Sequence, residues 1–128
     1  MINLQLSEAA EILNACLQGN DTRIVSIGTD TRNLKKGDLF IAISGKNFDG
    51  HDFVSIAEEK GAIAAIVEKE IEGKIPLLKV ENSIKSLGKL AAAWRKKSNS
   101  FVIGITGSNG KTTLKEMCNS IFKQNHSV

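Results

Sequence analysis

Phe101-Val102-Ile103-Gly104-Ile105-Thr106-Gly107-Ser108-Asn109-Gly110-Lys111-Thr112-Thr113 joins an apolar strand, a glycine-rich turn and the start of a helix in one short stretch. Few patterns leave a chain so little choice of fold. A strand apolar on both faces belongs inside a parallel sheet, and parallel strands need helical crossovers to connect them. Glycines in the turn let backbone N–H groups curl around an anion, and the following helix aims its positive end at the same point. Lys111 is then placed to reach the outer phosphates of a nucleotide, and the Thr112 hydroxyl to bind the magnesium that travels with them. The expected ATP site is therefore Gly107, Ser108, Asn109, Gly110, Lys111, Thr112 and Thr113, with Lys111 catalytic and Thr112 the metal ligand.

The strict phosphate-loop consensus asks for glycine five residues before Gly110, where this chain has Ile105. What survives is a shorter form, T-G-x-x-G-K-T-T, in which Gly107 and Gly110 supply the bends. Glycine and threonine between strand and helix are ordinary punctuation. Lys followed by two threonines on the first helical turn is not. After Thr113 the only carboxylate is Glu116, one turn into the helix and wrongly placed for magnesium. The stretch is thus expected to open an ATP site whose acidic ligand and further strands lie outside this chain.

Upstream, helices and strands alternate. Ser7 is a plausible N-cap for a helix with Ala9, Ala10, Leu13 and Leu17 on its apolar face and Gly19 past its end. Ile24 to Ile27 reads as a strand, followed by a polar turn, Thr29-Asp30-Thr31-Arg32. Leu39-Phe40-Ile41-Ala42-Ile43 is apolar throughout, the mark of a strand covered on both faces. A polar loop from Ser44 to Asp52 leads to a helix bearing Phe53, Ile56 and Ala57 and stopped by Gly61. Ala64 to Val67 and Leu77 to Val80 are short strands. Asn82 or Ser83 caps a long helix whose stripe, Ile84, Leu87, Leu90, Ala91 and Trp94, is expected in the core. The fold class is α/β: a small mixed-sheet domain over residues 1–97, a polar linker at 98–100, and the incomplete start of an ATP-binding domain at 101–128.

Composition narrows the function classes. With 41% hydrophobic and 24% charged residues in 128, the chain can bury a core without disulfides or metal. Cys16 and Cys118 fall in helical patterns and read as reduced, part-buried thiols of a cytoplasmic protein. A net charge of +3 is too small to argue for nucleic acid. Arg95-Lys96-Lys97 is more simply the cationic last turn of a helix. No apolar run approaches the ~20 residues of a membrane span, and the N-terminus lacks the pattern of a signal peptide. Oligomeric state is not legible.

The loop and its continuation Leu114-Lys115-Glu116-Met117 resemble the ATP loop of the Mur ligases, which add amino acids to the cell-wall precursor UDP-N-acetylmuramate. Two more stretches carry the resemblance: Thr29-Asp30-Thr31-Arg32 with Gly37-Asp38-Leu39-Phe40-Ile41-Ala42, and Gly45-Lys46-Asn47-Phe48-Asp49-Gly50-His51-Asp52-Phe53. It implies an N-terminal domain holding the UDP end of the substrate and a central domain holding ATP and Mg2+. It implies an amide ligation through an acyl phosphate, joining D-alanyl-D-alanine to UDP-N-acetylmuramoyl-tripeptide. The alternative within the family adds the third amino acid to the UDP-muramoyl-dipeptide; outside it stand a non-catalytic UDP-sugar-binding module and a small phosphate-loop kinase. This chain alone is expected not to catalyse ligation. The UDP-substrate contacts implied are Thr31, Arg32, Asn47, Phe48, Asp49 and His51. Each also has a plainer role: Asp30 as a turn cap, Arg32 paired with Asp38 or Asp30, Phe48 as a loop anchor on the core, and His51 as the first residue of a helix.

Overall fold

The computed structural model describes residues 4–46, 48–98 and 101–126. The chain divides into two compact units, Met1–Ser98 and Asn99–Val128.

The first unit is built on the apolar run. Strand β5 (Asp38–Ile41) is buried at every position and pairs in parallel with β4 (Ser26–Gly28) on one side and β6 (Ala64–Val67) on the other. β7 (Leu77–Lys79) continues the parallel set beside β6, and β2 (Cys16–Gln18) closes the sheet antiparallel to β7. The strand order is β2-β7-β6-β5-β4. Side chains alternate across this sheet. Leu39, Ile41, Ala64, Ile66 and Leu78 face a core completed by helices α1 (Leu6–Leu13) and α3 (Ser83–Lys97). Phe40, Ala42, Ala65, Val67 and Leu77 face a second core with Val54 and Ala57 of α2 (Val54–Glu59). Both faces are covered, which is why the strand reads as uninterrupted hydrophobe.

The N-terminal helix departs from the sequence expectation at both ends. Gln5, not Ser7, precedes it, with the Gln5 N–H bonded to Glu8 Oε2 at 2.9 Å. Ser7 is instead tied to Asp21 through both its N–H and its hydroxyl. Asn14 takes the left-handed conformation (φ 51°) and ends the helix, so Cys16 and Leu17 lie on β2 and Cys16 is exposed. Pairing of Leu17 opposite Leu78 outweighs another helical turn. The predicted strand at 24–27 also divides. β3 (Arg23–Ile24) pairs with β1 (Leu4–Gln5), and β4 begins after Val25 with a different neighbour.

α3 is rotated from the predicted stripe. Ser83, Ser86 and Leu90 are its buried residues, while Ile84 and Trp94 are exposed. Leu87, Leu90 and Trp94 line a shallow apolar groove of about 180 Å³ with Leu4 and Ile27. Asn82 caps the helix, its Oδ1 accepting the Lys85 N–H at 2.8 Å, and Glu68 Oε1 accepts the Ser83 N–H at 2.6 Å.

In the second unit α4 (Lys111–Phe122) is the only regular element among the described residues. The strand predicted at 101–105 pairs with no other strand there, and its residues carry no regular structure. A ladder requires a neighbour, and an apolar sequence cannot supply one by itself.

Candidate functional site

The glycine-rich loop before α4 has the backbone its glycines suggested. Gly107 and Gly110 take positive φ, 152° and 74°. A Cβ at Gly110 would meet nothing within 4 Å, so glycine is favoured there by dihedral and not by crowding. Gly110 is the residue before α4, and the Leu114 N–H closes the first turn on its carbonyl at 2.9 Å. The N–H groups of Lys111, Thr112 and Thr113 therefore stand outside the helical ladder at its positive end. The Lys111 ammonium donates to the Gly107 carbonyl and lies 3.5 Å from that of Ser108, so it is folded back over the loop. A cation, three helix-end donors and a threonine hydroxyl fit a polyphosphate with a hard divalent cation. Among the described residues no group of three or more His, Cys, Asp or Glu side chains can hold a metal. Thr112 would share a magnesium ion with the phosphates.

The other two segments leave the carboxyl ends of neighbouring parallel strands, where open α/β sheets form their ligand crevices. After β4, Asp30 makes an Asx turn, accepting the Arg32 N–H at 2.9 Å, and pairs with the Arg32 guanidinium at 2.6 Å. This forked contact holds the Asp30 carboxyl down at about 2. The guanidinium itself is open to solvent, and the Thr31 carbonyl accepts from Lys60 Nζ at 2.8 Å. Of the two partners sequence offered Arg32, the structure selects Asp30. Asp38 is buried and serves the Lys35 N–H.

After β5 the chain turns back on itself. Ser44 bridges Asp49, and Gly50 presses against Ile43, where a Cβ would sit 2.5 Å from the Ile43 nitrogen. Among the described residues the Asp49 carboxylate accepts four hydrogen bonds. Its Oδ1 takes the Ser44 hydroxyl at 2.8 Å, the His51 N–H at 3.0 Å and His51 Nδ1 at 2.6 Å; its Oδ2 takes Lys69 Nζ at 2.6 Å. Lys69 and then the His51 groups hold this carboxylate well below its ordinary range, and Asp49 in turn raises Lys69. The His51 ring is only 2% exposed, and its Nε2 accepts the Glu68 N–H at 2.8 Å. That bond requires a bare Nε2, so the ring proton sits on Nδ1 and points at Asp49.

Asp49 and His51 are thus brought together, whereas among the described residues no hydrogen bond joins their loop to Thr31 or Arg32. Phe48 is 60% exposed, its ring lying over Gly45, and does not anchor the loop in the core. Asn47 lies outside the described residues. Sequence reasoning passed over Ser44, Glu68 and Lys69. The last two sit beyond β6, and only strand pairing carries them to this loop.

A family model described as "Mur ligase family, catalytic domain" matches residues 23–95. The UDP-N-acetylmuramoyl-tripeptide–D-alanyl-D-alanine ligase of Escherichia coli K12 is 41% identical over 124 residues, covering 97% of this chain and 27% of that protein. MurF from Acinetobacter baumannii superposes with a TM-score of 0.82 at 37% identity, over 93% of this chain and 27% of that one. MurF from Thermotoga maritima, solved in complex with ADP, gives 0.71 at 37% identity, over 80% and 24%. The chain spans about a quarter of the length of the relatives it matches. No helix among the described residues is long and apolar enough to cross a membrane.

Proposed function

The chain belongs to the Mur ligase family, and on that premise we propose that it serves a MurF-type activity: ATP-driven joining of D-alanyl-D-alanine to UDP-N-acetylmuramoyl-tripeptide. The observation that carries this reading is the 41% identity running through almost the whole chain, phosphate loop included. In that reading the first unit receives the UDP end of the substrate and the second contributes the beginning of the ATP site. The setting is peptidoglycan precursor synthesis in the cytoplasm.

Each residue's part follows from its chemistry. Lys111 leaves the Gly107 carbonyl for the terminal phosphates, and the free N–H groups at the start of α4 hold their oxygens. The Thr112 hydroxyl would hold the magnesium ion, which would supply charge neutralisation at the phosphates. The substrate's terminal carboxylate takes the γ-phosphoryl group from ATP with ADP as the leaving group, and Lys111 stabilises the charge that spreads over the phosphoryl oxygens. The amine of D-alanyl-D-alanine then displaces phosphate from the acyl phosphate, forming the amide. Arg32, with its exposed guanidinium, suits the diphosphate, and the exposed ring of Phe48 suits the uracil face.

Phosphate release from ATP by the ligase built on this chain is the test. Turnover is expected with UDP-muramoyl-tripeptide and D-alanyl-D-alanine. Turnover with UDP-muramoyl-dipeptide and a diamino acid instead would reassign the activity to the other branch of the family.

A further inference from the structure

We propose that Asp49 and His51 are positioning residues that hold the 44–50 loop in its binding shape, and that neither touches the UDP substrate. The inference deepens the reading above and rests on its assignment of this loop to the UDP end.

The geometry leaves His51 no hydrogen-bonding capacity to offer a ligand. Nδ1 donates to Asp49 and Nε2 accepts from Glu68, so both ring nitrogens are committed in a ring only 2% exposed. A second proton on the ring would set Nε2–H against the Glu68 N–H, so the neutral Nδ1–H form is the one that fits. Asp49 is similarly engaged, with Ser44 and His51 on one oxygen and Lys69 on the other. Together they bolt the loop after β5 to the loop after β6. Glu68 extends the strut, since its carboxylate receives the Ser83 N–H at the start of α3. One end of this chain of bonds is the turn that displays Phe48, with Gly45 N–H bonded to the Phe48 carbonyl at 2.9 Å. The other end is a helix terminus. A loop so braced keeps an exposed aromatic ring in one place before any ligand arrives, which is what preorganisation requires.

Calorimetric titration of the 128-residue chain with UDP-N-acetylmuramoyl-tripeptide tests this, together with imidazole 15N spectra of His51. His51→Ala is expected to weaken binding about tenfold, the worth of one or two lost positioning hydrogen bonds. His51→Gln, which keeps an acceptor within reach of the Glu68 N–H, is expected to recover most of that loss. The wild-type ring signals should report a bare Nε2 and stay in place when the ligand saturates. A ring signal that moves to a new protonation state on binding would make His51 a direct ligand and overturn the proposal. So would unchanged affinity in His51→Ala beside a clear loss in Phe48→Ala, which leaves the functional reading standing. Failure of the wild-type chain to bind at all overturns both. Should His51→Ala not fold, Asp49→Asn takes its place: it keeps the side chain's size but gives up the charge that holds Lys69, and wild-type affinity in that variant counts against the strut.

Discussion

Leu39-Phe40-Ile41-Ala42-Ile43 and Phe101-Val102-Ile103-Gly104-Ile105 look nearly interchangeable as strings of letters. In the structure they are opposites. The first runs through a strand with a parallel neighbour on each side, and Phe40 is 1% exposed. The second has no ladder partner among the described residues, and Phe101 is 90% exposed. The same contrast holds for helices: α1 buries Leu6, Ala9, Ala10 and Leu13, whereas α4 buries nothing. Apolar residues state a demand for neighbours; whether it is met depends on chain that lies elsewhere. A fully buried Phe or Ile contributes about 1.5–3 kcal/mol relative to its exposed state, so the two runs differ greatly in what they give to stability.

Substitution sets that difference against measurement. Phe40→Ala should cost about 3–5 kcal/mol in urea unfolding, through lost burial and the cavity left between the sheet and α2. Phe101→Ala should fall within about 0.5 kcal/mol of the parent. Equal costs would break the comparison. Gly50→Ala should rank next, destabilising by about 2 kcal/mol or more, because the added methyl meets Ile43 backbone atoms that cannot step aside. Its counterpart in the second unit is Lys111→Ala. That change should leave the urea midpoint in place and weaken ATP binding at least about tenfold, since among the described residues the exposed ammonium contacts loop carbonyls alone.

Acid should act on the loops of the first unit. Asp30 lies lowered from 3.8 to about 2 and Asp49 is lowered as well, so each contributes stability that is complete above the ordinary carboxylate range and is lost as pH falls through its depressed value. The Arg32 amide signal followed by NMR should hold steady through the ordinary carboxylate range and move as pH falls toward the depressed Asp30 value of about 2. Movement of that signal near neutral pH would contradict the pairing with Asp30. The smallest effect is expected at Ser83, whose hydroxyl is fully buried with no hydrogen-bond partner among the described residues. Ser83→Ala should leave stability unchanged or raise it by up to about 1 kcal/mol in the same urea series.

Local chemistry was readable wherever a short segment determines its own conformation. The glycine bends at Gly107 and Gly110, the cap at Asn82, the Asx turn at Asp30 and the two-faced burial of Leu39 to Ile41 all follow from neighbours a few residues away. Misreadings fell where distant residues decide. Helical spacing placed Leu17 on α1, yet pairing with Leu78 drew it into the sheet. Periodicity alone put Trp94 in the core, but α3 buries Ser83, Ser86 and Leu90, and Trp94, one turn beyond Leu90, lines the open groove instead. His51 could be seen as a histidine in a polar loop; nothing nearby in sequence announces that its ring would be buried against the Glu68 amide.

The sequence by itself therefore determined the α/β class, the glycine bends before α4 and membership of a ligase family, because these reside in contiguous patterns of residue type and spacing. Tertiary structure alone decided which apolar run became a buried strand, where the first helix stops, and that Asp49 and His51 brace their loop. Those outcomes depend on hydrogen bonds and contacts between segments far apart in the chain, and no local pattern encodes the partner.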